Sequence, residues 1–439
     1  MKKVKKKNIK DFSNEILDNY KKYNIENIEI STAETINVSL KTRKLQLENI
    51  ERSKNININV NLYKDNKKAT ISANNIEKIN PVDFLEKGSA MVKFIPVDEF
   101  CGLPENKYYE KGLLDLDLAD EKTHSDEDLI DQAKTAEEIM LNSKKITNTE
   151  GSSRSFSKVS VSLLNSNGFN SNYTKTFHSL SSIAIAGHDT NMQRDYEYST
   201  AIHSQDLEKP EKIGKKAAER ASSRLNSKKI RSCTLDVVFE PRVAKSILSS
   251  FATCALGSSI ARGTSFLNKK LNTQIFKESI NISNNPRLKR GLGSKPFDSD
   301  GIKNENILIV QKGLLKNYFL NTRSSRQLKI PINGNSGPSN LILDKGKDSL
   351  NSLLENVKNG FYVTEMLGMS FNPVNGDYSR GAAGFKIDNG KITFPVSEVT
   401  IAGNMIEMLM KLTPADDLDI NDNINSPSIL IENMTLAGL

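Results

Sequence analysis

The chain has 439 residues, of which 37% are hydrophobic and 26% charged, with no Trp and a formal net charge of +8. That length and balance fit an ordinary globular protein of roughly two to three domains, and the lack of any run of ~18 apolar residues excludes a transmembrane helix. Three cysteines, Cys101, Cys233 and Cys254, lack C-x-x-C spacing, which argues against a disulfide framework or zinc ribbon and fits a reducing cytoplasm.

The basic residues 1–7 are not followed by an apolar stretch, so they are no secretory signal and read as a frayed, solvated tail. No basic patch interleaved with aromatics follows, so nucleic acid is not an expected partner. Ile9, Phe12, Ile16, Leu17 and Tyr20 fall at helical spacing. Ile28 and Ile30, then Ile36, Val38 and Leu40, then Ile56, Ile58, Val60 and Leu62 alternate as strands, with a turn at Asp65-Asn66. Pro81 opens a helix with Phe84, Leu85, Met91 and Val92 on its buried side. This α+β unit, residues 1–95, is the expected first domain.

Residues 96–229 form the expected middle region. A polar connector leads to Ser125, an N-cap with acidic Asp128 three residues on. Leu129, Ile130, Ala133, Ala136, Ile139 and Met140 make the stripe of the helix that follows. Strands run from Phe156 to Ala201 with a hairpin at Asn167-Gly168. Ile213, Ala217, Ala221 and Leu225 then mark a helix.

Residues 230–439 form the expected C-terminal domain, β-rich and mainly antiparallel. Residues 234–240 make a strand, and Pro241 suits the first turn of the next helix. Val243, Ala244, Ile247, Leu248, Phe251, Ala255 and Leu256 line that helix, and Gly257 ends it. Short strands and turns follow, with one helix near residues 349–357. Asn375-Gly376, Gly381 with Gly384, and Asn389-Gly390 are turn signals of a closing meander. The fold class is α+β.

The run Asn375-Gly376-Asp377-Tyr378-Ser379-Arg380-Gly381-Ala382-Ala383-Gly384-Phe385, followed by Ile387-Asp388-Asn389-Gly390 and Pro395-Val396-Ser397-Glu398-Val399, resembles the TldD/PmbA family, in its PmbA (TldE) branch. Gly291-Leu292-Gly293-Ser294-Lys295-Pro296-Phe297-Asp298 and the terminal Thr435-Leu436-Ala437-Gly438 extend the match. The catalytic TldD branch carries a His-Glu-x-x-x-His helix and a later Cys, which hold zinc and an activated water. In this chain the corresponding slots fall near Ser249, Ser250 and Cys254. The four histidines, His124, His178, His188 and His203, all precede this helix and make no such pair in sequence.

The resemblance therefore implies a chain without its own zinc or catalytic group, assembled in the cytoplasm with a zinc-bearing TldD-like partner that cuts unfolded peptides. A homodimer in the partner's absence is a further expectation. Tyr378, Ser379 and Arg380 are the candidate substrate-cleft or interface residues; the alternative reading is a hairpin tip held by its own hydrogen bonds. Two other functions remain open: a binding module that does not cleave, like a modulator of DNA gyrase, and a self-sufficient Ser or Cys hydrolase. Cys254 on an apolar helix reads as core before nucleophile, and Asp298-Ser299-Asp300-Gly301 as a turn before a calcium loop.

Overall fold

A computed structural model describes residues 9–439 except Asn75, Glu77, Lys78, Leu113 and Thr123. The basic tail expected at residues 1–7 lies outside the described residues. Among these residues, no helix is long and apolar enough to cross a membrane. The first half contains α1 (Ile9–Asn19), β1 (Asn27–Arg43), β2 (Gln46–Lys64), β3 (Lys67–Ala73), α2 (Pro81–Val92), α3 (Asp126–Leu141), β4 (Ile146–Asn165), β5 (Asn170–Ala186), β6 (Gln193–Ala201) and α4 (Pro210–Ser223).

The strands form one antiparallel sheet in the order β3-β2-β1-β4-β5-β6. Its central pair, β1 with β4, runs from Glu29 opposite Asn165 to Thr42 opposite Ser152. Strands from both sides of residue 95 thus share one sheet. The separate apolar runs at 28–30 and 36–40 lie on a single strand of 17 residues. Ladder hydrogen bonds continue where one face is wet and apolar alternation lapses, so the pattern understates strand length.

Helices α1 and α2 cover one end of the sheet, packing Phe12, Ile16, Phe84 and Leu85 on Ile28, Ile30, Ile58, Val60 and Leu62. The rings of Phe12 and Phe84 meet edge to face at 5.9 Å. Met91, expected inside, is 44% exposed. It falls off the face set by Phe84, Leu85, Gly88 and Val92. At the other end α3 and α4 pack Met140, Ala217, Ala218 and Ala221 on Ala184 and Ala186. Ser125 caps α3 in a reciprocal capping box with Asp128, as the sequence requires. Ile139, expected in the stripe, is exposed; Glu137 is buried instead because its carboxylate accepts the Lys44 and Leu45 amides of the β1–β2 turn.

The second half contains β7 (Cys233–Phe239), α5 (Pro241–Cys254), α6 (Gly257–Ala261), β8 (Ile282–Asn284), β9 (Ile307–Gln311), β10 (Leu314–Leu315), α7 (Thr322–Leu328) and β11 (Leu341–Leu343). It continues with α8 (Leu350–Glu355), β12 (Asn359–Phe371), β13 (Asp377–Asp388), β14 (Lys391–Asn404), α9 (Met405–Lys411), β15 (Leu412–Pro414), β16 (Ile424–Asn425) and β17 (Ile429–Ala437). Its main sheet has the order β14-β13-β12-β7-β17-β15, and a β14–β17 pairing closes five of these strands into a barrel. Only β7 with β12 is parallel in this sheet. A small sheet, β10-β9-β8-β11-β16, lies beside it. The fold class is α+β, with a β-rich and mainly antiparallel second half.

The β12–β13–β14 meander forms as expected, and Asn389 (φ 46°) with Gly390 (φ 80°) makes its second turn. Gly381 and Gly384, however, are not turns; both lie inside β13. A Cβ on Gly384 would sit 1.9 Å from the Tyr362 carbonyl oxygen, so glycine there permits a close strand approach beside a register shift. Gly257 does not simply end α5 but opens α6, where a Cβ would meet Ser324 Oγ at 2.6 Å. Helices α6, α7 and α9 have five to seven residues, too short for an apolar period to register.

Candidate functional site

Pro241 starts α5 where its missing N–H is not needed. Val243, Ala244, Ile247, Leu248 and Phe251 bury one face of the helix in the barrel core. Arg242, Lys245, Ser246, Ser249, Ser250 and Thr253 recur on the other face at helical spacing. Arg242 donates from Nη1 to Asp195 Oδ1 (2.9 Å) and the Tyr196 carbonyl (2.8 Å), and its guanidinium lies 4.5 Å from the Tyr196 ring centre. Lys245 donates to the Tyr198 hydroxyl at 2.5 Å and pairs with Asp422. Ser250 Oγ donates to the Ser246 carbonyl (3.0 Å) and Thr253 Oγ1 to the Ser249 carbonyl (3.0 Å). Cys254 is fully buried, and burial pushes its thiol up to about 12, against a smaller opposing effect of Ser265. A thiol so placed is packing, not a nucleophile.

The sequence-predicted residues Tyr378, Ser379 and Arg380 lie within β13, not at a hairpin tip. Strand alternation sends Tyr378 and Arg380 to one face and Ser379 to the other. Tyr378 is buried and its hydroxyl lies 3.1 Å from Met366 Sδ; burial raises the phenol to about 12, partly offset by Arg380. Arg380 reaches α5, its Nη1 donating to Ser246 Oγ at 3.4 Å. Tyr378 and Ser379, with Ser370, Phe371, Asn372, Asp377 and Gly403, line an open cleft of about 450 Å³.

Asp298-Ser299-Asp300-Gly301 folds as a turn. Asp298 Oδ1 accepts the amides of Asp300 and Ile302, both at 2.9 Å, and Gly301 has φ 80°. Burial, then Asp300, raises the Asp298 carboxyl to about 7. The preceding Gly291-Leu292-Gly293-Ser294 loop is a junction with the first sheet. Lys175 of β5 donates to the Leu292 (2.6 Å) and Ser294 (3.0 Å) carbonyls.

A second cluster was not legible in the sequence. The fold gathers three of the four histidines around Asp120, from a loop, from β5 and from the segment after β6. His178 Nε2 lies 3.3 Å from Asp120 Oδ2, and His203 Nδ1 lies 3.9 Å from Asp120 Oδ1. The ligating atoms of Asp120, His124 and His178 all fall within 4.8 Å of one another. His124 and His178 pack ring edge to face at 5.6 Å, and the buried Nε2 of each lacks a well-aligned hydrogen bond. Burial, then Arg154, holds His178 down to about 4 and His124 below its ordinary value. Burial opposes the charge of Asp120, but the Ser204 and Lys122 amides outweigh it and keep the carboxyl below its usual range. His124 and Asp120 line a cavity of about 500 Å³ with Arg52, Lys122 and Lys158. No spacing rule joins residues 120, 124, 178 and 203; only the pairing of β4 with β5 and the loops around it does.

Residues 232–438 match the PmbA/TldA metallopeptidase C-terminal domain, and residues 119–225 the central domain of the same family. The chain is 33% identical over 414 residues to the metalloprotease PmbA of Escherichia coli, covering 93% of this chain and 92% of that one. It is 32% identical over 415 residues to a metalloprotease PmbA homologue of Buchnera aphidicola, covering 94% and 93%. The chain belongs to the PmbA/TldD metallopeptidase family, in its PmbA branch. A crystal structure from Bacteroides thetaiotaomicron superposes with a TM-score of 0.90 at 29% identity, covering 98% of this chain and 99% of that one; its name refers to modulation of DNA gyrase.

A metallopeptidase family implies zinc, and both donor sets of this PmbA-branch chain can be tested against it. On α5 the set does not fit. Neutral serine and threonine hydroxyls are poor zinc ligands, those of Ser246, Ser250 and Thr253 already donate to helix carbonyls, the neighbouring cations repel a metal, and the helix's only thiol is sealed in the core. The Asp120–His124–His178 set has suitable atoms and spacing, but its surroundings oppose a cation. His178 Nδ1 lies 3.4 Å from Arg154 Nη2. A guanidinium only donates, so Nδ1 accepts and the ring proton sits on Nε2, the atom a metal would need. Metal-bound imidazoles instead direct the second nitrogen's N–H at an acceptor. Arg154 is itself fully buried and held by Gln132, the Ser155 and Ser179 carbonyls and Ser204, so it cannot swing away cheaply.

Proposed function

We propose that this chain is the subunit of a cytoplasmic TldD/TldE-type zinc metallopeptidase that lacks the zinc ligands. A TldD-like partner carries the metal and cuts unfolded or flexible peptides; this chain supplies a wall of the substrate cavity and contacts to the partner. The observation that carries the reading is the outer face of α5. By the family resemblance it corresponds to the ligand helix of the catalytic branch, yet it presents serines and cations. The β-rich architecture supports recognition of extended chains. The first sheet ends in β3 and β6, and strand edges bind peptide backbone with little regard to side chain. Free Cys101 and exposed Cys233 accord with a reducing compartment.

The test mixes the purified chain with a TldD-type chain and an unfolded peptide, with and without chelator. Cleavage is expected only in the mixture, and chelator should abolish it. Cleavage by this chain alone, indifferent to chelator, would sink the reading and favour a self-sufficient hydrolase. Stable peptide binding that never leads to cleavage would favour a pure binding module.

A further inference from the structure

The two outer strands of the first sheet differ at their open sides. In β6, whose ladder partner is β5, Arg224 and Arg242 hold the carbonyls of Arg194 and Tyr196, at 3.2 and 2.8 Å. The amides of Tyr196 and Tyr198 donate to the Asp195 and Glu197 carboxylates, at 2.7 and 3.3 Å. Two guanidiniums and two carboxylates thus occupy that edge, which keeps it from pairing with another chain.

Strand β3 carries no such cover. Asp65 (φ 50°) and Asn66 (φ 55°) make a two-residue turn between β2 and β3, so Lys64 and Lys67 form a hydrogen-bonded pair. Pairs alternate along an antiparallel ladder, so Leu62 with Ala69, Val60 with Ile71 and Ile58 with Ala73 also exchange both bonds. The N–H and C=O groups of Lys68, Thr70 and Ser72 therefore point away from β2. No hydrogen bond reaches these groups among the described residues, and all three residues are exposed. Ala69, Ile71 and Ala73 lie on the other face, against the core under α1 and α2.

The seven residues of β3 span roughly 23 Å. That edge is too short by itself to supply the ~800 Å² per partner of a stable subunit interface. It suits a single peptide strand, and main-chain pairing accepts varied sequences, as unfolded substrates require.

We propose that the outer edge of β3 binds substrate peptide by strand addition, through the backbone groups of Lys68, Thr70 and Ser72. This rests on the peptide-binding role proposed above and assigns it to one of the two edges.

The probes are an unstructured, fluorescein-labelled Ala/Ser/Gly/Leu peptide and the same peptide N-methylated at all its central residues, which strips donors from both of its edges. Each is titrated against the full chain, alone and mixed with a TldD-type chain. The methylated peptide is expected to bind about tenfold or more weakly. Thr70→Pro deletes an outward N–H and no bond to β2, so it should weaken binding of the plain peptide by a similar factor while the fold persists. Hydrogen exchange, followed by mass spectrometry on the wild type, should slow in β3 and not in β6 when plain peptide is added. Equal binding of the two peptides, undiminished binding to a folded Thr70→Pro variant, or protection that bypasses β3 overturns the assignment. Chelator-sensitive cleavage by the mixture would still uphold the proposed function. Protection of β3 without peptide, whether by a second copy at high concentration or by the TldD-type chain, also overturns it, because the edge is then a subunit contact. Neither binding nor cleavage in the mixture overturns both. The wild-type measurements decide the matter even where the variant misfolds.

Discussion

His178 shows how one neighbour settles what a side chain can do. Its Nδ1 faces Arg154, a pure donor, so the imidazole stays neutral with its proton on Nε2, which lies 3.3 Å from Asp120 Oδ2 without an aligned hydrogen bond. Replacing Arg154 by Met should let His178 titrate well above about 4, as read from its imidazole NMR resonances. The linked stability has a definite sign. The unfolded imidazole takes a proton near 6.5 and the folded one near 4, so this contribution is complete above the higher value and fades as pH falls to the lower. That window is worth ~3 kcal/mol. The stability gap between wild type and His178→Asn, measured in urea, should therefore narrow from pH 7 to pH 4. A constant gap would show that His178 titrates normally. Cys254 was correctly legible as core from its apolar helix alone, whereas nothing near His178 in the sequence signals Arg154, 24 positions away.

Elements were most readable where chemistry is local. The Ser125–Asp128 capping box and the Asn389-Gly390 turn each need only a few adjacent residues. Ser125→Ala should cost about 1 kcal/mol of stability in denaturant melts. Glycines deceive because the same residue serves turns and close packing. In β13, Gly384 lies against the Tyr362 carbonyl, so Gly384→Ala should lose ~1–3 kcal/mol by forcing the strands apart. If Gly384 were a turn residue on an open surface, the same change would be far milder. Tyr378, Ser379 and Arg380 were legible as a candidate stretch, but not as a strand that hands Arg380 to α5 and turns Ser379 away.

Across the whole molecule, the first sheet and the barrel are joined by buried charges. Asp195 of β6 pairs with both Arg224, after α4, and Arg242, at the start of α5. Arg224 also pairs with Glu365 of β12, and Arg220 joins Glu197 of β6 to Glu240. Asp195→Ala would leave two buried guanidiniums short of a partner, and a loss of ~3–5 kcal/mol is expected in chemical denaturation. Purely additive surface behaviour, below ~1 kcal/mol, would show the joint to be incidental. By itself the sequence determined the fold class, the local helices and turns, the family, and the lack of a His-Glu-x-x-x-His helix. These rest on periodicity and on motifs whose residues are neighbours in the chain. Only the tertiary structure decided that β1 and β4 unite residues on both sides of position 95, that three distant histidines meet Asp120 under Arg154, and that Arg380 faces α5 without a carboxylate. Strand pairing and buried electrostatics join residues far apart in the chain, and no local pattern records which partners meet.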